Sequence, residues 1–435
     1  MIEPLFVSIS KACCWNYCRF LFRVGQIWFR LITLRAIQIW RSKRPANYTW
    51  SAHVQNIWFR HKLDLVLGEA LPSNFISTHH SFQSPDYVLQ DHVTLYGITE
   101  HEAIFVETER GLDVLHSDAG SFLRVAQFYN AKRVITMPMT SFHKLARQVG
   151  DPKGALIFVS NTNRCGSTLL CQMFEKSDRV LVFSNPSAVN SIYKGVDASS
   201  HTALDDVVRS TVRLLCKPIG RSIRAYVIKT TAQTVVAVPG FARVFPKAKQ
   251  LFMYREGLSV AKSVFRIGIT LPLMHIVFLV TPLSGRLTQE GVAAMGLNAS
   301  LMKRRCSDGL VYGFFVWASV IAKYREYVQQ GIDIVGVKYE DLVERPLEAT
   351  RVVFEYCGIP LEWAEKAINA LNKDAQRLSP LSRKNLDKVK LNMEVTPTRR
   401  KEMDAICDHF GLPRIPNECV LERTITSTKS DYKCT

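Results

Sequence analysis

The chain has 435 residues, of which 47% are hydrophobic and 22% are charged, a balance typical of folded globular proteins. This composition excludes wholesale disorder, and the length allows one large domain or two domains of ordinary size. Lys and Arg outnumber Asp and Glu by 56 to 38, which gives a net charge of +18. We therefore expect an anionic partner, such as a phosphate- or sulfate-bearing ligand, an acidic membrane surface or nucleic acid.

Residues 1–65 form a basic, aromatic amino-terminal segment. Residues 1–62 carry ten basic side chains and one acidic side chain, and five of the seven Trp residues lie there. Basic residues interleaved with aromatic ones suit a helix lying on an anionic membrane surface, and they equally suit an amphipathic helix docked on the core. Because basic residues interrupt every apolar stretch, a cleaved signal peptide is not expected. We expect membrane association, at an endomembrane or the Golgi rather than in the cytosol.

The longest apolar run, Ile267–Leu283, contains two prolines and His275. It is interrupted too often for a membrane-spanning helix, which needs about 20 apolar residues. This run predicts a buried or membrane-dipping segment.

The next part of the chain, residues 66–150, predicts a small α+β extension. Short alternating runs predict strands, and longer periodic runs predict two helices. The predicted strands are Val93–Tyr96, Ala103–Glu107, Asp113–His116 and Arg133–Met137, and the predicted helices are Phe122–Asn130 and Ser141–Val149.

From residue 151 to 415 the pattern changes to strands that alternate with helices. The first strand, Ala155–Ser160, is a continuous apolar run of the kind found inside parallel sheets. The alternation predicts an α/β fold with a doubly wound parallel sheet, followed by a tail at 416–435. Further strands are predicted at Arg179–Phe183, Ala225–Lys229, Gln250–Tyr254 and Ile332–Val337.

A loop between the first of these strands and a helix has the features of an anion site. The strand ends at Ser160, and the helix begins near Gly166 with two hydroxyl residues, Ser167 and Thr168. Backbone N–H groups and the positive end of the helix dipole would converge on one point, and Arg164 would add a full charge. The sequence therefore predicts a P-loop-like cradle for phosphate or sulfate.

This loop departs from the nucleotide P-loop consensus G-x-x-x-x-G-K-[ST]. Asn161 stands where the first glycine would fall, and Ser167 stands where the lysine would fall. Without that lysine the usual contact to the β- and γ-phosphates is missing, which disfavours an ATPase or a GTPase.

The run from Asn163 to Leu170 resembles the 5′-phosphosulfate loop of sulfotransferases that use 3′-phosphoadenosine-5′-phosphosulfate (PAPS). The resemblance implies that Arg164 contacts the leaving phosphate and the sulfo group and is the catalytic residue. It also implies that the residues following Arg164 help to hold the co-substrate, namely Cys165, Gly166, Ser167, Thr168 and Leu169.

Three later segments match the same family in the correct order. The resemblance implies that Arg255 and Ser263, eight residues apart, bind the 3′-phosphate, although Glu256-Gly257 replaces the usual Asp-Pro. Residues 338–360 resemble a Tyr-Glu-Asp-Leu segment, for which we expect a structural role. Residues 374–386 are similar to a late basic loop that closes over the nucleotide, which nominates Arg383 and Lys384.

The predicted reaction is transfer of a sulfo group from PAPS to an unidentified hydroxyl or amine acceptor on a glycan, lipid, small molecule or protein, without a metal. Relatives with this loop often have a glutamate base after the next strand, where this chain has Asn185. An amide cannot accept the proton at neutral pH. His143 and His201 are candidate substitutes, and Lys229 lies at a strand end, either as an active-site cation or in solvent.

Two other functions remain open at the level of sequence. The chain could bind PAPS without turnover, since Asn185 replaces the base, or it could be a kinase-like P-loop phosphotransferase that uses ATP and Mg²⁺. Nucleic-acid binding is not expected, because no recognised binding motif accompanies the basic charge.

Overall fold

We describe the chain from a computed structural model. The structure describes residues 14, 17, 18, 20–29, 31–33, 51–62, 69–192, 201–220, 222–271, 274, 278, 306–379, 381–414 and 420–426. Backbone contacts divide these residues into two compact units. The larger unit comprises residues 156–180 and the described residues from 227 onward, and the smaller unit comprises those of 13–155 and 181–226.

The smaller unit is built around an antiparallel sheet with the strand order β2-β1-β5-β4-β3. Its core includes Phe75, Tyr96 and Phe128, with Phe75 about equally close to both other rings. The strands are β1 (Ala52–Arg60), β2 (Phe75–Gln83), β3 (Val93–Ile98), β4 (Glu102–Glu107) and β5 (Arg133–Pro138). The helices of this unit are α1 (Leu123–Asn130), α2 (Met139–Val149), α4 (Ser187–Ser191) and α5 (His201–Leu215).

Two parts of this unit differ from the sequence prediction. Residues Asp113–His116, predicted as a strand, form turns, because the Asp113 carboxylate accepts the Leu115 N–H (3.0 Å) and the Asp113 carbonyl accepts the His116 N–H. Residues 52–60 fall inside the basic aromatic segment, but they form β1 and pair with β2 and β5. The predicted helices and the strands β3, β4 and β5 lie where the sequence predicts them.

A second five-stranded sheet has the order β10-β9-β6-β8-β7. The pairs β6–β9 and β9–β10 are parallel, so the predicted α/β class with a parallel sheet is confirmed. The strands are β6 (Ala155–Asn161), β7 (Val180–Ser184), β8 (Ala225–Lys229), β9 (Lys249–Tyr254) and β10 (Ile334–Lys338). The strand that comes first in the chain, β6, lies inside the sheet, with β8 and β7 on one side of it and β9 and β10 on the other. The chain therefore changes sides of the sheet at β6. In open α/β sheets ligands bind beyond the carboxyl ends of strands at such a reversal.

Helices of the larger unit pack in two groups. The long helix α8 (Gly309–Gln329) is buried with α7 (Gly257–Thr270) and α13 (Pro397–Phe410). Tyr324 on α8 stacks on Phe252 of β9. Phe174 on α3 (Ser167–Glu175) stacks on Phe354 of α10 (Pro346–Cys357). The remaining helices of this unit are α3 (Ser167–Glu175), α6 (Val238–Val244), α7 (Gly257–Thr270), α9 (Tyr339–Glu344), α10 (Pro346–Cys357), α11 (Ala364–Ala367), α12 (Arg383–Leu386) and α13 (Pro397–Phe410).

The apolar run Ile267–Leu283 lies mostly outside the described residues. Leu271 and Phe278 within it are buried, and Phe278 belongs to the same core as α8. In the part of the chain that the structure describes, no helix combines the length and the apolar character needed to cross a bilayer.

The two units do not coincide with the domain boundaries predicted from sequence. Residues 181–226 group with the amino-terminal sheet, whereas the sequence assigns all of 151–415 to one domain. The predicted boundaries therefore stay a prediction.

Lys217 ties the end of α5 to the segment before β3 within the smaller unit. Its buried ammonium donates to the carbonyls of Val88 (2.6 Å), Gln90 (2.6 Å) and Val93 (2.5 Å). Burial lowers the pKa of Lys217 to about 7. Three acceptors match the three protons of an ammonium group, so the contacts favour the charged form.

We expect Lys217→Met to lower the free energy of unfolding by about 3 kcal/mol, because it leaves buried carbonyls without a donor. Urea unfolding of the full chain measures this. Lys132→Met is the matched control, because Lys132 is 59% exposed and pairs only with Glu109; its cost should stay below about 1 kcal/mol. Equal losses of unfolding free energy in the two variants would show that the Lys217 contacts stabilise the protein no more than a surface ion pair does.

Candidate functional site

The candidate site is the loop that joins β6 to α3 in the larger unit. Two non-glycine residues of this loop, Asn163 (φ 59°) and Arg164 (φ 49°), have left-handed backbone conformations, and Gly166 (φ 80°) is left-handed as well. Left-handed residues in a loop turn successive N–H groups toward a common concave side, which is a recurrent anion-binding geometry. Such conformations cost free energy in non-glycine residues and persist only where the surroundings impose them.

Two asparagines hold the loop in this shape. The Asn161 side chain accepts the Asn163 N–H (2.9 Å) and donates to the Thr230 carbonyl (2.7 Å). The Asn163 side chain in turn accepts the Ala232 N–H (3.3 Å). Asn161, which replaces the first glycine of the P-loop consensus, thus links the loop to the segment after β8.

Gly166 lies against an aromatic ring that leaves no room for a side chain. A Cβ atom added to Gly166 would lie 2.6 Å from Cε2 of Tyr339 and 3.2 Å from the Met253 methyl group. Both the positive φ and the close approach therefore require glycine at this position.

The helix α3 begins directly after Gly166. Ser167, Thr168 and Leu169 are buried, and the first helical hydrogen bond runs from the Leu170 N–H to the Gly166 carbonyl (3.1 Å). The N–H groups of the first turn of a helix have no carbonyl partner within the helix. The Cys165 thiol is buried and donates to the Met253 carbonyl (3.1 Å), and it also bonds to the backbone of Ser167 in this turn.

Arg164 is the central charge of the site. Its Nε donates to the Ser263 hydroxyl (2.8 Å), and its Nη1 donates to the Gln376 side chain. Burial, and after it the charge of nearby Arg255, lowers the pKa of the Arg164 guanidinium to about 10, while Asp374 opposes this shift. Arg164 therefore stays charged at neutral pH, but its charge is poorly solvated and is repelled by a second guanidinium.

Arg255 lies at the end of β9 and is 32% exposed. Its guanidinium stacks on the Tyr339 ring, 4.6 Å from the centroid, and its Nε lies 3.9 Å from a Glu340 carboxylate oxygen. That distance is too long for a hydrogen bond, and the Nε is a buried donor without a hydrogen-bond partner. The Trp317 indole donates to the Arg255 carbonyl (3.0 Å) and so anchors its backbone.

Glu256 and Gly257, which depart from the family's usual Asp-Pro, have clear local roles. The Glu256 carboxylate caps α7 by accepting the N–H groups of Leu258 (3.0 Å) and Ser259 (2.7 Å). Gly257 lies under the Trp317 ring, where a Cβ would be 2.8 Å from a ring carbon. The departure therefore preserves the start of the helix that carries Ser263.

The late segment 374–386 lies beside the loop, although Arg383 does not reach it. The Gln172 side chain donates to the Ala375 carbonyl (3.0 Å), and Gln376 accepts from Arg164. The Arg383 backbone N–H donates to the Asp374 carboxylate (2.8 Å), while its side chain is exposed and makes no contact with Arg164 or Arg255 among the described residues. Lys384 is exposed as well.

Asn185, the two candidate substitutes for the missing base and Lys229 each have a different environment. Asn185 is buried with a left-handed backbone (φ 55°). The His143 Nδ1 shares a hydrogen bond with the Ser210 hydroxyl (2.7 Å), and burial lowers the pKa of His143. The side chain of His201 lies outside the described residues. Lys229 is 4% exposed, so the alternative of a strand-end lysine in solvent is wrong: β8 is an internal strand, and its end is covered.

The structure thus brings Arg164, Ser263 and Arg255 together with the loop from Cys165 to Leu169. It adds Tyr339, Asp374 and Gln376, which sequence reasoning did not assign to the site. Tyr339 belongs to the Tyr-Glu-Asp-Leu segment, for which only a structural role was predicted, and its place directly after β10 was the available signal. Among the described residues, no cluster of three His, Cys, Asp or Glu side chains has a geometry suited to a metal ion.

No family model and no curated protein matches the chain. A sulfotransferase from Mycobacterium avium is 12% identical at a TM-score of 0.37, covering 63% of this chain and 81% of that one. A sulfotransferase domain from the curacin biosynthetic pathway is 16% identical at a TM-score of 0.34, covering 61% and 99%.

A sulfotransferase from Alicyclobacillus acidocaldarius is 14% identical at a TM-score of 0.33, covering 60% of this chain and 93% of that one. At TM-scores and identities this low the likeness is partial, and it carries no weight beside the geometry of the chain itself.

We expect Gly166→Ala to destabilise the larger unit by about 2 kcal/mol more than a glycine replacement that meets only backbone strain, because overpacking typically costs 1–3 kcal/mol. Gly358→Ala is the matched control: Gly358 is left-handed (φ 68°) and has open space around its Cβ position, so its cost should be about 1 kcal/mol. Urea unfolding of both variants measures the difference.

The double variant Gly166→Ala/Tyr339→Ala separates the clash from other causes. Removing the ring should recover part of the loss, giving a favourable coupling between the two positions. If the loss of unfolding free energy in the double variant equals the sum of the losses in the two single variants, the close packing of Gly166 against Tyr339 is contradicted.

Proposed function

We propose that this chain transfers a sulfo group from PAPS to a hydroxyl or amine acceptor. The observation that carries this proposal is the partly buried Arg164 guanidinium, which lies beside Arg255 and bonds to Ser263. Two like charges in a poorly solvated site are unfavourable unless an anion offsets them. PAPS carries negative groups at both its 5′ and 3′ ends, so one ligand could satisfy both guanidinium groups.

The residues present fit such a ligand. The N–H groups of Gly166, Ser167, Thr168 and Leu169, at the left-handed loop and the first turn of α3, would hold the 5′-phosphate. The orphaned Nε of Arg255 and the Ser263 hydroxyl would hold the 3′-phosphate. Arg164 is bonded to Ser263 and would contact the leaving 5′-phosphate and the sulfo group.

In the proposed reaction, a lone pair on the acceptor oxygen or nitrogen attacks the sulfur of PAPS. The bond from sulfur to the 5′-phosphate oxygen breaks, and the phosphate leaves with the bonding pair. The proton of the acceptor group passes to water, because the Asn185 amide cannot accept it. Arg164 stabilises the negative charge that develops on this oxygen, an effect that is strong where water is excluded. The segment 374–386 lies over Arg164, and Gln376 would give up its bond to Arg164 as the ligand binds.

The loop favours PAPS over ATP. Ser167 occupies the position of the P-loop lysine, so the chain lacks the cation that normally contacts the β- and γ-phosphates. The second guanidinium at Arg255 instead suits a phosphate on the ribose of the nucleotide.

A second candidate function is binding of PAPS without transfer. It is favoured by Asn185, whose amide replaces the expected carboxylate and cannot take the acceptor's proton. In this case the same cradle would bind PAPS, and the chain would act as a sensor or carrier.

Adenosine 3′,5′-bisphosphate (PAP), the desulfated product, should raise the unfolding midpoint of the full chain. A ligand present at 100 times its dissociation constant adds about 2.7 kcal/mol when it binds only the folded state. Arg164→Ala and Arg255→Ala should abolish this gain, whereas Arg351→Ala should keep it, because Arg351 is 51% exposed and pairs with Glu365.

Two results of this thermal measurement would contradict the proposal. One is stabilisation by ATP·Mg²⁺ in place of PAP, which would favour the kinase-like function. The other is an equal response of all three arginine variants, which would show that the cradle arginines do not bind PAP.

Single-turnover incubation with ³⁵S-labelled PAPS separates transfer from binding alone. With excess protein and a mixture of hydroxyl and amine acceptors, we expect label to move to an acceptor and PAP to form at the same rate. Stable, bound PAPS under conditions where PAP also binds would favour the non-catalytic function.

A further inference from the structure

The amino-terminal helical segment of the smaller unit has an unusual orientation. Polar side chains face the sheet together with the ring of Phe22, which lies 5.1 Å from the ring of His61. Gln26 is 4% exposed and donates to the Phe75 carbonyl (2.8 Å). Arg23 donates to the Ser73 hydroxyl (2.8 Å) and to the Gln26 side chain (3.2 Å). These hydrogen bonds hold helical residues 20–29 on the sheet by their polar face.

The opposite face is apolar and open to solvent. Its spacing of three and four residues matches one stripe of an α-helix. The exposed fraction is 61% for Trp28 and 75% for Ile32. The other large exposed side chains of the stripe are Tyr17, Phe20, Leu21, Ile27 and Leu31.

Two further exposed apolar side chains lie on β1. Trp58 and Phe59 are about 60% exposed, and the Trp58 ring lies 6.3 Å from the Phe29 ring. Of the fourteen large hydrophobic side chains that are exposed among the described residues, nine belong to this helix or to these two positions of β1. We call these nine side chains the apolar face. A stripe of exposed apolar side chains, such as the seven on this helix, marks an interaction site.

Charge identifies the partner. Residues 1–62 carry ten basic side chains against one acid, and five of the seven Trp residues of the chain lie among them. Arg23, Arg60 and Lys62 are bonded to the protein, which leaves seven basic side chains in the sequence of this segment. Two copies of the chain that met through this face would bring two strongly basic segments together, and they would repel each other. An anionic lipid surface offers negative charge for the basic residues, hydrocarbon for the apolar face and an interfacial position for Trp.

We propose that the apolar face docks the protein on an anionic lipid bilayer. The helix lies in the plane of the interface, with Trp28 and Ile32 inserted among the acyl chains and Gln26 and Arg23 bonded to the protein. Trp58 inserts beside the helix and extends the contact. This surface shares no residue with the candidate phosphate cradle, so the membrane proposal can be tested independently of the proposed enzymatic function.

Sedimentation with sucrose-loaded vesicles tests the proposal on the full chain. We expect the protein to partition at least tenfold more strongly onto vesicles with 30% phosphatidylserine than onto pure phosphatidylcholine, and 1 M salt should remove this difference. Trp28→Ser/Ile32→Ser should weaken partition to the anionic vesicles at least tenfold. The control Tyr129→Ser/Leu361→Ser, at exposed positions outside the apolar face, should leave it unchanged.

A fluorescence measurement keeps the test valid if the serine variant does not fold. Brominated acyl chains should quench the Trp emission of the unaltered protein, and Trp28→Phe, which retains an apolar ring, should reduce the quenched fraction. No partition of the unaltered protein onto either vesicle would overturn the proposal. So would equal partition of the two serine variants, or a dimer in solution that Trp28→Ser/Ile32→Ser dissociates, because a second copy would then cover the apolar face.

Discussion

The poorly solvated charge of Arg164 is the constraint on which the candidate site depends. A partly buried guanidinium needs partners, and here these are the Ser263 hydroxyl and the Gln376 side chain, with the Asp374 charge nearby. Arg255 works against it, because its positive charge repels that of Arg164. A site built in this way is most stable with an anion between the two guanidinium groups, since the anion offsets the burial and the repulsion together.

The packing around Arg164 explains why the loop keeps an unfavourable backbone. Asn161 and Asn163 bond the loop to the segment after β8, and Gly166 is pressed against Tyr339. Tyr339 also stacks on Arg255, so one ring contacts the loop on one side and the second guanidinium on the other. The left-handed residues are therefore held by contacts that also position both charges.

The sequence predicts the elements of this site better than their arrangement. The apolar run of β6, the glycine and the hydroxyl residues of α3 each have a strong local signal, and the structure has that strand and helix close to the predicted bounds. The bond between Arg164 and Ser263 joins residues 99 positions apart, so no local pattern could reveal it. The burial of Lys229 depends likewise on the neighbours of β8 in the sheet, which periodicity alone does not specify.

Mixed composition explains the misassigned parts of the amino-terminal region. Ala52–Arg60 combines alternating apolar residues with the basic and aromatic character of the preceding segment, and the pairing with β2 and β5 decides its conformation. The sequence leaves open whether the apolar residues of the helix before it face a membrane or the core. The bonds of Gln26 and Arg23 to the protein, and the exposure of Trp28 and Ile32, show which side is turned to solvent.

The most direct test of the central claim compares PAP with adenosine 5′-monophosphate, which lacks the 3′-phosphate, by titration calorimetry on the unaltered chain and on Arg255→Ala. If Arg255 binds the 3′-phosphate, removing that phosphate should weaken binding to the unaltered chain by at least tenfold, about 1.4 kcal/mol. The same removal should have little effect on Arg255→Ala, because the partner of the phosphate is already absent. An equal loss in both proteins, or equal affinity of the unaltered chain for the two nucleotides, would contradict the claim that the two arginines hold opposite ends of one ligand.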